Sequence, residues 1–359
     1  MDKINILFAP SNTANMPDIT MQALNKLDGV AVKGISVMKN QYWNFGKGWY
    51  ITVRTSWKKA PFYNLKQLVY RHFIFIKLLL WADIIIWNHF LPKEFLLFNF
   101  EYYIIKIFKK KLLVEWIGGD IRNPEYVFKH NKYYKKCWED GEYDYTIESK
   151  KRSLGFQKIF KTLNAIPLLA PEMSLFLDKT IYPSFELCYQ RINLADFKPV
   201  YPRNPIPVIV HTPSSLGAKG TKYVREAVNL LKSKNIAFKY IEIHNQSRSE
   251  ALNAISKCDL FIDQFIYGGY GLACCEAMAM GKPVFCYLME PVVEVLPKNC
   301  PIINTNLDNL DYFLEKYILD AALRYDAGVK SREYAEKYHD ADKIAVQLKN
   351  LFKKILNKN

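Results

Sequence analysis

Residues 267–284 read YGGYGLACCEAMAMGKPV. Gly268, Gly269 and Gly271 flank Tyr270 just ahead of an apolar run that reads as a short helix, which Gly281 and Pro283 end. The strand-like segments DLFIDQ (259–264) and KPVFCYL (282–288) bracket the stretch. A glycine loop that leaves a strand and enters a helix suits an anion or a sugar. Helix N-termini carry unpaired N–H groups and about half a unit of positive charge, and glycines let a ligand lie against those amides. Glu276, a turn into the helix, offers a carboxylate that accepts two hydroxyl hydrogen bonds side by side, as a ribose 2′,3′-diol requires. The alternative is a glycine turn before a core helix with one capping glutamate.

A second segment, HTPSSLGAKGTKYV (211–224), repeats the pattern. A strand ends at His211, the loop carries Ser214 and Ser215, and Lys219 precedes Gly220 and a helix with Thr221 as its expected N-cap. Lys219 would place a point charge on a diphosphate. An ordinary surface lysine in a turn is its other reading.

Strand and helix patterns alternate along most of the chain. In the first half, 4–9, VAVKGISV, 82–88, 110–118, 163–170 and 180–185 read as strands. A helix is expected over ITMQALNKL with Asp18 as N-cap, and another over 65–82. In the second helix Leu65, Leu68, Val69, Phe73, Ile76, Leu79 and Leu80 fall at core spacing, whereas Phe75 and Leu78 lie off that stripe and are free for an exposed contact. The run FKPVYPRNPIP (197–207) has four prolines in eleven residues and reads as an interdomain linker. Beyond it the alternation restarts. The expected fold is α/β, with two Rossmann-like doubly wound domains facing a cleft: 1–198, 199–338, and a C-terminal helix over 339–359 that packs back toward the first domain.

Composition narrows the function. With seven cysteines, no C-x-x-C pair and no His/Cys cluster, neither a disulfide framework nor a metal site is expected, and a reducing compartment is. The apolar start is too short for a signal peptide. The most apolar run, 73–91, is broken by Lys77, Asp83, Asn88 and His89, short of the roughly 18–20 apolar residues of a membrane span. The net charge is +15, and between Arg54 and Leu113 eleven Lys/Arg face only three Asp/Glu amid many aromatics. Such a surface suits anionic lipid headgroups, nucleic acid or a phosphorylated substrate, or is a solvated lysine face.

The motifs GYGLACCEAMAMGKPV and LGAKGT resemble the C-terminal half of the retaining nucleotide-sugar glycosyltransferases of family 4, which have the GT-B fold. ADIIIWNHF, WIGGDIRNP and YPSFELCYQRINLADFKP extend the resemblance more weakly over the whole chain. The resemblance implies transfer of a sugar from a nucleotide-diphosphate sugar with retained configuration, no cofactor and no metal, the nucleotide lying on the C-terminal domain and the acceptor on the N-terminal one. It implies that Glu276 binds ribose, that Lys219 meets the diphosphate, and that Gly269, Tyr270 and Gly271, with Leu272 beside them, run along the donor sugar. His89 would stand near the transferred sugar, and Asp120 and Arg122 of GGDIR would face the acceptor.

Two positions depart from the family pattern. Gly268 stands where a first glutamate is expected, and Ser214 where an arginine is. Asp263 and Gln264 are the candidate replacements. The expected activity is transfer to a lipid-linked or glycan acceptor in cell-surface glycan assembly, by a cytoplasmic protein held at the inner face of the membrane and without a nucleic-acid partner. A sugar-nucleotide 2-epimerase of the same fold, or a non-catalytic basic binding protein, are the alternatives.

Overall fold

The computed structural model describes residues 3–37, 45–52, 61–88, 100–145 and 147–357. Two sheets, each parallel throughout, organise it. The first comprises β1 (Ile4–Ala9), β2 (Val30–Ser36), β3 (Trp49–Ile51), β4 (Ile84–Asn88), β5 (Lys111–Trp116), β6 (Ile166–Leu169) and β7 (Glu186–Leu187), in the order β3-β2-β1-β4-β5-β6-β7. The second comprises β8 (Val208–His211), β9 (Lys239–Glu242), β10 (Leu260–Ile262), β11 (Val284–Cys286) and β12 (Ile303–Asn304), in the order β12-β11-β10-β8-β9. Parallel neighbours require crossovers, which the intervening helices supply. Helices on both faces leave little of the central strands exposed, so these read as apolar runs; every residue of β4 and β10 is buried.

The strand order reverses once in each sheet. Ile6 of β1 lies opposite Val32 of β2 and Ile84 of β4. Ile262 of β10 lies opposite His211 of β8 and Phe285 of β11. At such switch points the loops leave to opposite sides and open a crevice beyond the strand ends.

The chain forms two compact units: Met1–Arg122 with Lys151–Tyr189 and Ala341–Asn359, and Asn123–Lys150 with Gln190–Asp340. These bounds differ from a division at 198/199, and hydrogen bonds explain why. Gln190 donates to the Tyr270 carbonyl at 3.0 Å, Lys282 Nζ to that of Val200 at 2.6 Å, and Arg332 to that of Phe197 at 2.8 Å. The proline run is therefore fastened to the second unit instead of swinging as a linker. Residues 123–150 join that unit as well, with Asn131 Nδ2 donating to the Ile266 carbonyl at 2.8 Å. In the first unit the helix Ala341–Asn357 buries Ile344, Ala345, Leu348 and Phe352 in one core with Phe8, Met21 and Leu24.

Several local expectations change. The N-cap position of the helix Met16–Leu24 is Asn15, whose side chain makes no capping bond, and Asp18 lies in the first turn. The Asp18 carboxylate accepts from Gly46 N at 2.9 Å and Trp49 Nε1 at 2.8 Å, so it fastens the chain entering β3. Residues 180–185 are not a strand: a turn over 179–181, where Asp178 accepts from both Thr180 N and Thr180 Oγ1, leads into irregular chain, and β7 begins only at Glu186. Thr221 is not a cap; Gly220, at φ +73°, precedes its helix.

The largest change is in the helix Pro61–Trp81. Phe75 and Leu78 are buried, while Leu65, Val69, Phe73, Ile76 and Leu80 of the expected core stripe are exposed. This helix is apolar on both sides, so spacing finds a stripe without choosing the inner one. Trp87 of β4 chooses it, meeting Phe75 edge to face with centroids 6.4 Å apart. Phe75→Ala should therefore cost about 3–5 kcal/mol in urea unfolding, and Phe73→Ala less than about 1 kcal/mol. Equal losses would contradict this orientation.

Candidate functional site

The switch point between β8 and β10 brings several buried polar groups together. Ser215 caps the short helix Leu216–Lys219, its Oγ accepting from Ala218 N at 3.1 Å. That turn aims Lys219 at Asp263, the residue following β10, with Nζ 2.5 Å from Oδ1. Asp263 is 2 % exposed and Lys219 15 %, so the pair is largely withdrawn from water. Burial pulls the Lys219 ammonium down, but Asp263 more than offsets this and holds it above the ordinary lysine value. Cys274 Sγ donates to the other carboxylate oxygen at 2.9 Å, which ties the pair to the helix Leu272–Ala279. His211 lies beneath, with Nδ1 3.0 Å from the Ile262 carbonyl and Nε2 3.0 Å from Thr221 Oγ1. Burial pushes its pKa down to about 4, so at neutral pH it is uncharged and positions the loop.

The glycine loop follows. Gly268 has φ +82°, and a Cβ there would lie 2.8 Å from Asn131 Nδ2 and 3.2 Å from Met289 Cβ. The glycine in the expected glutamate's place is thus demanded by this backbone. Gln264 Nε2 donates to the Gly269 carbonyl and shapes the turn. The Tyr270 ring is buried, its hydroxyl 3.4 Å from His339 Nε2, so only the backbone of Tyr270 is left to line a ligand. Gly271 is the N-cap of the helix Leu272–Ala279, and a Cβ there would meet nothing within 4 Å. Leu272 is half-buried beside it. Gly281, at φ +70°, ends the helix, with its N–H on the Met278 carbonyl and that of Lys282 on Ala277.

Glu276 is buried and pairs with Arg248 from the helix Arg248–Lys257. Burial raises its pKa, opposed by the Arg248 charge. Sequence reasoning missed Arg248 because SRSE reads as a capped surface helix, which it also is. It missed Asp144 as well, whose carboxylate accepts from Ser215 Oγ although 71 residues separate the two. Neighbouring Glu142 pairs with Lys222 at 2.8 Å, and its carbonyl would lie 1.8 Å from a Cβ on Gly217. Ser214 is exposed.

Two candidates lie in the first unit, after β5. Asp120 is fully buried, and its carboxylate accepts from Gly118 N at 2.8 Å and Ile121 N at 3.1 Å. It therefore builds its own loop and does not present an open carboxylate to an acceptor. Arg122 is half-buried at the end of that loop. His89 lies outside the described residues. Among the described residues one set of three could hold a metal: Asp263, Cys274 and Cys286, all buried, with ligand atoms within 4.8 Å of one another. Its carboxylate already faces the Lys219 ammonium, and burial keeps the Cys274 thiol protonated well above the ordinary range.

No protein-family profile matches the chain, and no curated protein matches its sequence. Solved structures do match. Sucrose-phosphate synthase from Thermosynechococcus elongatus superimposes with a TM-score of 0.65 at 12 % identity. An α-glucosyltransferase in complex with UDP and a 13-mer DNA containing an HMU base gives 0.60 at 13 %. WaaG, a glycosyltransferase involved in lipopolysaccharide biosynthesis, gives 0.57 at 12 %. Each likeness covers 99 % of this chain and 100 % of the other. The fold is GT-B. Those three names span sucrose phosphate, lipopolysaccharide and DNA, so the fold leaves the acceptor open.

Lys219→Met would keep the volume and strand the Asp263 carboxylate. We expect a loss of about 3–5 kcal/mol in urea unfolding, much of it recovered on adding Asp263→Asn. Additive losses would mean that the two groups do not act as a pair.

Proposed function

We propose that the protein is a retaining glycosyltransferase, similar to those of family 4, that transfers a sugar from a nucleotide-diphosphate sugar to a membrane-associated acceptor in cell-surface glycan assembly. The observation that carries the nucleotide is the open N-terminus of the helix Leu272–Ala279, with Glu276 one turn along it and Lys219 at the adjoining switch point. The neighbour with bound UDP favours UDP as the first nucleotide to try.

In this reading the ribose diol displaces Arg248 from Glu276 and takes both carboxylate oxygens. The diphosphate lies against the amides at Gly271, within reach of the Lys219 charge. Breaking the glycosyl–phosphate bond gathers negative charge on the diphosphate and positive charge on the sugar carbon. The amides and Lys219 stabilise the first. The acceptor hydroxyl attacks from the leaving-group face, and a donor phosphate oxygen takes its proton, which accounts for retention. The helix terminus and Lys219 do the work a bound divalent ion would do, so turnover should survive EDTA. Loss of activity on chelation, restored by a divalent ion, would replace this assignment.

Glu276→Ala should weaken UDP binding at least tenfold, about 1.4 kcal/mol or more, in titration calorimetry. Arg248→Ala removes a competitor for that carboxylate and should leave affinity equal or higher. Undiminished affinity in folded Glu276→Ala would remove the ribose assignment. Product analysis with a UDP-sugar then separates transfer from release of a free epimer.

A further inference from the structure

We infer that one face of the first unit docks on an anionic lipid surface, through an apolar stripe bordered by lysines. On the helix Pro61–Trp81, Phe62, Leu65, Val69, Phe73, Ile76 and Leu80 are between 38 % and 87 % exposed. The helix Phe100–Ile107 adds Phe100, Tyr103 and Ile107 at 52–73 %. Both helices precede strands laid down in the same direction along the sheet, so right-handed crossovers place them on the same face. Their inner sides meet one aromatic cluster, Phe75 on Trp87, Trp87 on Phe160 and Tyr102 on Phe160. Their outer sides therefore both present exposed apolar side chains on that one face, of the kind that marks a membrane or protein contact.

Charge selects the occupant. The helix Pro61–Trp81 carries no carboxylate, and Glu101, the one on Phe100–Ile107, is fully buried. Lys66, Lys77, Lys106 and Lys109 are exposed beside the stripe. Lys106 and Lys109, with Lys110, Lys111 and Lys354, also line an adjoining cavity of about 560 Å³, where Glu186 is the only acid among the described residues. Apolar side chains ringed by lysines match the boundary of an anionic bilayer, into which such a helix sinks in the plane of the interface. Among the described residues no helix is long and apolar enough to cross the membrane. The inference rests on the membrane-associated acceptor proposed above only in preferring lipid to protein.

The test is flotation of the full chain with phosphatidylcholine vesicles and with vesicles containing 30 % phosphatidylglycerol. We expect at least tenfold tighter binding to the anionic vesicles, largely lost at 1 M salt, where the Debye length is about 3 Å. Val69→Asp with Phe73→Asp should lower that binding at least tenfold without loss of fold, since both sites face outward. Lys106→Glu with Lys109→Glu should weaken it about fivefold or more for each lysine. Equal binding to both vesicles, binding to neither, or a stable dimer that Val69→Asp with Phe73→Asp converts to a monomer would overturn the inference. UDP-sugar turnover is measured alongside. Vesicle binding without turnover upholds the surface and removes the transferase reading; turnover without vesicle binding does the reverse.

Discussion

The Lys219–Asp263 ion pair fixes the geometry of the second sheet's switch point. It joins the turn after β8 to the end of β10, and through Cys274 it reaches the helix that follows the glycine loop. A carboxylate 2 % exposed is costly to hold charged without a partner, and the ammonium at 2.5 Å meets that cost. In the function proposed above the same ammonium meets the diphosphate, so folding and binding would draw on one charge. Asp263 thereby restrains Lys219 in the free protein and sets where it stands before a ligand arrives.

Gly268 shows how backbone conformation can set site chemistry. At φ +82°, with Asn131 and Met289 against it, the position has no room for the acidic side chain that the family pattern places there. The loop's polar groups come instead from Gln264, spent on the Gly269 carbonyl, and from the amides entering the helix. Asn131 belongs to residues 123–150, which pack on this unit although the chain passes through the first unit on either side of them.

The first unit has a different economy. Its sheet packs Trp87 and Trp116 against Phe160 as an aromatic layer, and two of the helices that cover this layer, Pro61–Trp81 and Phe100–Ile107, also carry apolar residues on their outer sides. A helix needs only one apolar side to fold onto a sheet. The second side of Pro61–Trp81 is not required by the core, which is the physical ground for assigning it to an external surface.

Much of this was legible in the sequence. The strand–loop–helix rhythm, the two parallel sheets and the glycine loop before Glu276 follow from local pattern, because period, glycine placement and helix-stop residues act over a few neighbours. β1 falls at Ile4–Ala9 as read, and Gly281 ends its helix as read. Tertiary structure alone decided the partners: Arg248 on Glu276, Asp144 on Ser215 and Asp263 on Lys219. It also decided that Phe75, not Phe73, faces the core, since a helix with apolar residues on both sides has no inner side until Trp87 supplies one. Charge pairing and side selection depend on residues from 12 to 71 positions apart, whose proximity is a product of the fold and carries no local signature.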